Sequence, residues 1–258
     1  MMNLIQQTPA TSDFDVVFEG QTTPAFRLLL PEAISADGLE TIGGCHTIPG
    51  EWAFRDDCAH GRFSVSPEFR VTVSIECREP DLLVDAKLRN GSSRPLHHVT
   101  ANFCAGLNHL PGMPDWCNRE CIPDVPLDRD LQGRYWFRDM APRRLKALVG
   151  EDWIGMHPCP DNPDPDAVAR YSSTASARND VRACAVASHD GGSLFFQAWA
   201  APCRYIEPFP GNACMHLLPL MASSIAVGET ATLQGMAGIF RGDWTALSRR
   251  ICGELSGE

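Results

Sequence analysis

The sequence predicts an all-β chain: a large antiparallel β-sandwich with long proline-rich loops and a short C-terminal helix. Two observations carry most of this. Between residues 62 and 104, apolar and polar residues alternate with period two, the signature of strands with one buried face. Glycine- and proline-marked turns separate these runs, as in an antiparallel meander. A third observation is negative: only Asp243–Cys252 (DWTALSRRIC) carries a clear helical pattern.

In chain order, residues 1–13 are polar and read as a flexible end. Phe14–Phe18 and Ala25–Leu30 are strand-like apolar runs. Gly43-Gly44 and Pro49-Gly50 punctuate the stretch before a candidate strand, Glu51–Arg55. In RFSVS, FRVTVSIE and DLLVDAKLRN, Val71, Val73 and Ile75 share a face, as do Leu82, Val84, Ala86 and Leu88. Asn90-Gly91-Ser92-Ser93 is a turn, and His97–Cys104 returns as a strand. On that strand His97 and His98 are expected on opposite faces.

Prolines 111, 114, 123 and 126 pin a long loop over 105–130, a length that in compact domains usually signals function. Arg134–Arg138 reads as a strand and Pro142–Val149 as one or two helical turns. HPCPDNPDPD, residues 157–166, reads as a second loop too rich in proline for regular structure. Val181–Ser188 and Ser193–Ala200 flank HDGG as a hairpin. Arg204–Gly228 mixes prolines 208, 210 and 219 with a dense set of polar groups and reads as a bent segment entering a strand. Ala231–Phe240 closes the set of strands, and residues 243–252 form the C-terminal helix, with Asp243 at its cap and Trp244, Leu247 and Ile251 at helical spacing. The strands before and after the loops suggest one sheet each of one sandwich domain over 1–258.

Bulk properties narrow the function. The net charge is −10, from 22 Lys+Arg and 32 Asp+Glu, without a basic stripe, which argues against nucleic-acid binding. No apolar run is long enough to span a membrane, and the N-terminus lacks the features of a secretory signal, so a cytoplasmic location is expected. The 11 cysteines are scattered without a CxxC, the usage of buried small hydrophobes in a reducing compartment. Cys117 and Cys121 are the only close pair and have no second pair at zinc-site spacing. GxSxG, GxxxxGK[ST] and GxGxxG are all absent, which disfavours hydrolase, nucleotide and dinucleotide chemistry of the usual kinds.

Three passages resemble the galactose mutarotase-like β-supersandwich superfamily. LLVDAKLRNGSSRPLHHV (82–99) is similar to its strand–turn–strand before the first active-site loop. GLNHLPG (106–112) is similar to its Asn-His element, though it continues here as Leu110-Pro111-Gly112 instead of with the family's aromatic and Asn. AVGETATLQGMAGIF (226–240) is similar to its near-terminal strand. The resemblance implies a supersandwich fold, a sugar ligand and His109 as a catalytic histidine.

The residues suggest where chemistry would sit. His109, beside Asn108, and His216, in CMHLLP, are candidate acid–base groups, because imidazole gives and takes protons near neutral pH. Glu207 is a candidate base, Arg204 a candidate holder of substrate oxygens, Asp115 a polar contact and Trp116 a surface for a sugar face. His46, after Gly43-Gly44-Cys45, is a further candidate at the pocket, and Cys214 reads as packing. Each histidine equally fits a structural role, hydrogen-bonded to its neighbours. The leading expectation is a carbohydrate-active enzyme, an epimerase or lyase, acting on a small-molecule sugar without a cofactor. The alternatives are a carbohydrate-binding module without turnover, and a metal-dependent enzyme with His46, His109 and His216 as ligands of a divalent ion.

Overall fold

The computed structural model describes residues 2–22, 24–37, 39–55, 58–106, 145–147, 156–158, 169–172, 182–187, 193–209, 214–242 and 244–255. Its strands are β1 (Met2–Gln6), β2 (Asp13–Phe18), β3 (Phe26–Ala36), β4 (Leu39–Gly43), β5 (Glu51–Arg55), β6 (Cys58–Ser66), β7 (Phe69–Arg78), β8 (Asp81–Asn90) and β9 (Leu96–Gly106). They continue as β10 (Leu145–Ala147), β11 (Met156–Pro158), β12 (Ala169–Ser172), β13 (Ala183–Ala187), β14 (Ser193–Trp199), β15 (Cys203–Phe209), β16 (Cys214–Ile225) and β17 (Thr230–Arg241), followed by helix α1 (Trp244–Leu255).

The expected all-β sandwich is what these strands build. The first sheet runs β1-β2-β3-β9-β16-β15-β12-β11, with β4 paired to β3 as a ninth strand. The second runs β10-β13-β14-β17-β8-β7-β6-β5. Alternation does what the sequence predicts: along β7 the residues Phe69, Val71, Val73, Ile75 and Cys77 are buried and those between them are more exposed. These side chains meet their counterparts from β8, β9, β3 and β16 in one core between the sheets. A smaller core lies on the far side of the second sheet, where Leu247 and Ile251 of α1 cover Leu194, Phe196, Ala198 and Met236. Strand β14 therefore serves both cores, with Phe195 facing one and Phe196 the other.

Several expectations are corrected. The chain's two halves do not form one sheet each: β9 pairs with β16, and β8 with β17, so each sheet draws on both. The polar N-terminus supplies a strand, β1, because Met2 finds a buried place against the core and its backbone pairs with β2. Leu145–Ala147 is a short strand on β13, not helical, since an open sheet edge offers pairing that outweighs local propensity. His157 and Pro158 lie in β11, an edge strand, where a proline's missing N–H costs little. His98 has a left-handed φ of 49°, which breaks the alternation, so His97 and His98 are both exposed. The expected strand 134–138, the turn at 189–192, the Cys117–Cys121 pair and the Asp243 cap lie outside the described residues. Among the described residues, no helix is long and apolar enough to cross a membrane.

Two contacts fix the second sheet. Gly235 sits opposite Trp199 in the β14–β17 register, and the indole lies flat over it: an added Cβ would fall 2.2 Å from the ring. At the start of β8, Arg250 of α1 donates from Nε to Asp81 Oδ2 at 2.8 Å, and its Nη2 reaches the same oxygen. Burial pushes the Asp81 carboxyl above its usual range, and Arg250 pulls the other way.

Gly235→Ala is expected to cost about 2 kcal/mol, because the indole is locked in the core and cannot yield; unchanged urea denaturation would refute this packing. Arg250→Ala should destabilise by about 2 kcal/mol at neutral pH, less than for a fully buried pair because Arg250 is 34% exposed. Burial raises the Asp81 pKa in the folded protein and Arg250 opposes that rise, so in the variant acidification neutralises the orphaned carboxylate. The deficit relative to the parent protein should therefore shrink as pH falls, and a deficit that is constant with pH would exclude the mechanism.

Candidate active site

The site lies on the face of the first sheet that points away from the sandwich core, and three neighbouring strands supply it. On β16, Met215 and Leu217 turn inward to the core, which leaves His216 on the outer face. His216 is nevertheless only 8% exposed. In the β9–β16 register it sits directly opposite Cys104, itself buried but outside the core, whose neighbours Phe103 and Ala105 point inward. Asn102 shares the outer face, two residues along β9.

The third strand contributes through an irregularity. Leu29 of β3 pairs with Cys104 and Ala33 with Asn102, so Leu30, Pro31 and Glu32 stand opposite Phe103 alone. This bulge breaks strict alternation and lets Glu32 reach the outer face. Its Oε2 lies 3.2 Å from His216 Nε2 and accepts a hydrogen bond from Asn102 Nδ2, also at 3.2 Å. The Glu32 side chain is 26% exposed, so the pair is sheltered but open to a ligand. One ligand atom each from Glu32, Cys104 and His216 lies within 4.8 Å of the others.

The backbone beneath His216 is held from the opposite sheet. Gln197 of β14 is buried, and its Nε2 crosses the core to donate to the Met215 carbonyl at 2.8 Å. Met215 is in register with Ala105 of β9 and Pro208 of β15, and the Gln197 amide adds a tie from the opposite sheet.

The sequence-predicted site residues are only partly brought together. His216 is in the cluster, and Glu207 is its direct register partner on β15. Arg204 falls at the β15 irregularity between Cys203 and Tyr205. His46 lies in a short 3-10 turn, Cys45–Thr47, entered through Gly44 at φ 68°, a left-handed value that suits glycine. Its Nδ1 is buried with no hydrogen-bond partner among the described residues, yet its ring does not join the Glu32–Cys104–His216 group. Asn108, His109, Asp115 and Trp116 lie outside the described residues.

Sequence reasoning missed Glu32, Asn102 and Cys104. For Glu32 a signal existed: Pro31-Glu32 interrupts the apolar run from Leu28 to Ile34, and a proline inside a strand marks an edge or a bulge. Cys45, close by, is a structural thiol. Burial pushes it up to about 11, with Glu32 adding to the rise, and its Sγ hydrogen-bonds the Ile42 carbonyl at 3.1 Å.

Another candidate among the described residues is an open groove of about 310 Å³ on the second sheet, lined in part by His60, Ser74 and Glu76. His60 Nδ1 and Ser74 Oγ are 2.8 Å apart there, but the contact is exposed to water, where a hydrogen bond gains little and an acid–base pair is poorly organised. The sheltered His216 cluster is chemically the better site.

No protein-family model matches the chain, and no curated protein matches it in sequence. Solved structures do. A galactose mutarotase-like protein from Lactobacillus casei matches with a TM-score of 0.56 at 11% identity, over 93% of this chain and 100% of that one. A provisionally named aldose 1-epimerase from Escherichia coli matches at 0.50 and 12% identity, over 94% and 100%. An alpha-N-acetylgalactosaminidase from Bifidobacterium bifidum matches at 0.51 and 10% identity, over 100% of this chain and 39% of that one. The chain thus has the galactose mutarotase-like sandwich fold that three short passages of its sequence suggested.

Gln197→Leu removes the buried hydrogen bond that ties the Met215 carbonyl to the opposite sheet. We expect a loss of about 2 kcal/mol in urea denaturation; a loss within error of zero would mean the Met215 carbonyl is satisfied elsewhere.

Proposed function

We propose that this protein is a carbohydrate-active enzyme of the aldose-epimerase type, interconverting the anomers of a small sugar by proton transfer at His216 and Glu32. The observation that carries the reading is the Glu32–His216 pair, 3.2 Å apart on a sheltered outer sheet face. The names of similarly folded proteins, galactose mutarotase-like and aldose 1-epimerase, point to the same class of substrate.

The chemistry asks for little more than such a pair. To open a hemiacetal, one group removes the proton from the anomeric hydroxyl while another gives a proton to the ring oxygen. These two oxygens are bonded to the same carbon, so the protein's acceptor and donor must also be neighbours. The Glu32 carboxylate takes the hydroxyl proton and the His216 imidazolium gives one from Nε2. The C–O ring bond breaks, the aldehyde turns about its bond to the next carbon, and closure on the other face returns both protons. No redox partner or cofactor is consumed.

Asn102 steers Glu32 by holding Oε2, which leaves Oε1 to meet the substrate. Glu207, opposite His216 in register, is a second carboxylate for holding sugar hydroxyls, with Arg204 three residues before it on β15. His109, beside Asn108, belongs in this reading as a second histidine, with Asp115, Trp116 and His46 as further sugar contacts. The partner is a small-molecule carbohydrate.

The test is polarimetry on freshly dissolved single anomers of a panel of aldoses. The parent protein should speed the approach to equilibrium, and His216→Gln and Glu32→Gln should each lower the rate at least about 100-fold, with thermal melts confirming that both variants fold. Binding of aldoses with no rate enhancement would replace this reading with that of a carbohydrate-binding module; full activity in either variant would move the chemistry away from this pair.

A further inference from the structure

Cys104 has no task in the proton transfers above, yet its strand, β9, lies between the two that carry them and its sulfur is within 4.8 Å of both groups. We propose that Glu32, Cys104 and His216 form a three-ligand site for a thiophilic divalent cation of the zinc class, and that its occupation blocks the acid–base pair. The blocking half rests on the epimerase reading; the binding half does not.

The geometry carries the site. Metal bonds of about 2.0 Å to nitrogen and oxygen and about 2.3 Å to sulfur put tetrahedral ligand atoms roughly 3.3–3.8 Å apart. Glu32 Oε2 and His216 Nε2 already stand at 3.2 Å, and the three ligand atoms all lie within 4.8 Å, so closing on an ion needs shifts of about 1 Å or less at side-chain tips. Cys104 and His216 are register partners on adjacent strands, and Glu32 stands in the β3 bulge bounded by the paired residues Leu29 and Ala33. Glu32 also has the outer partner that metal-binding carboxylates usually have, the Asn102 amide.

The donor set selects the ion. One thiolate, one imidazole and one carboxylate suit zinc and its neighbours, whereas calcium and magnesium require oxygen ligands throughout. On binding, the Cys104 thiol loses its proton to solvent and the sulfur takes up the metal bond, with no change of oxidation state. Three protein ligands leave a fourth position for water. The blocking follows from shared electrons: the Nε2 lone pair that takes and gives the proton is the one that would hold the metal, so the two uses exclude each other.

The test is titration of the full-length protein, stripped with EDTA, with Co²⁺ as a coloured stand-in for Zn²⁺. One equivalent should bring a near-ultraviolet thiolate-to-cobalt absorption, and Zn²⁺ should remove it by displacement. Cys104→Ser, checked by circular dichroism and thermal melting to be folded, should lose the band and bind Zn²⁺ at least about 10-fold more weakly. Asn102→Ala should retain the band with affinity about 10-fold lower. In polarimetry, stoichiometric Zn²⁺ should stop the parent protein's turnover and EDTA should restore it. Absence of the band, or a band indifferent to Cys104→Ser and so arising from another of the 11 cysteines, overturns the site. Turnover that requires the metal overturns the blocking role. A Cys104-dependent band in a protein that turns over no sugar upholds the site and fails the epimerase reading instead; turnover without metal binding does the reverse.

Discussion

The sandwich turns on one stack. The rings of Phe103 on β9 and Trp199 on β14 lie 3.8 Å apart between centroids and 24° from parallel, one from each sheet. A second aromatic contact, Phe26 of β3 against Phe195 of β14 at 5.1 Å, lies on the same pair of layers. Such contacts contribute about 1 kcal/mol each beyond the area they bury, but their larger effect is geometric. Trp199 can lie this close because Gly235 offers no side chain beneath it. With Phe103 committed inward, its neighbours Asn102 and Cys104 must point outward. The packing of the core thereby decides which residues face the ligand side.

The same economy governs the bulge in β3. A regular strand would alternate through residues 29 to 33 and keep pace with β9; the extra residues opposite Phe103 turn a carboxylate out onto the sheet's far face. A sheltered carboxylate is costly unless bonded, and here an imidazole and an amide both meet it. The arrangement rests on rigid strands, which hold reacting groups more closely than loops do. From beneath, Gln197 ties the His216 strand to the opposite sheet, so the position of the imidazole depends on both layers.

Much of this was legible in the sequence, and the illegible part has a physical cause. Period-two runs such as Phe69–Arg78 announce strands because one face is dry and the other wet. His216 stood out because a polar residue inside CMHLLP breaks an otherwise apolar run, and it does join the cluster. Cys104 gave no such sign, since a buried cysteine packs like a small hydrophobe wherever it points. Glu32 was hidden differently: which face it takes depends on a register shift with β9, and register belongs to two strands that lie far apart in the chain. Pairing across the chain also explains why residues 145–147 form a strand without much local preference for one. The membership of each sheet failed for the same reason, because local pattern says that a strand exists and is silent about its partner.

The mixing of early and late strands has a bearing on how the chain is made. Strands β8 and β9 are complete by residue 106, yet one side of each is closed only by β17 and β16, which begin at residues 230 and 214. While the ribosome works through the interval, both present an open row of N–H and C=O groups beside apolar faces. Loop closure over such a distance is slow compared with local hairpin formation. The nascent chain is therefore exposed to intermolecular strand addition throughout much of its synthesis. Because the His216 cluster joins β16 to β3 and β9, it assembles as the open side of β9 is closed, whereas the open side of β8 still waits for β17.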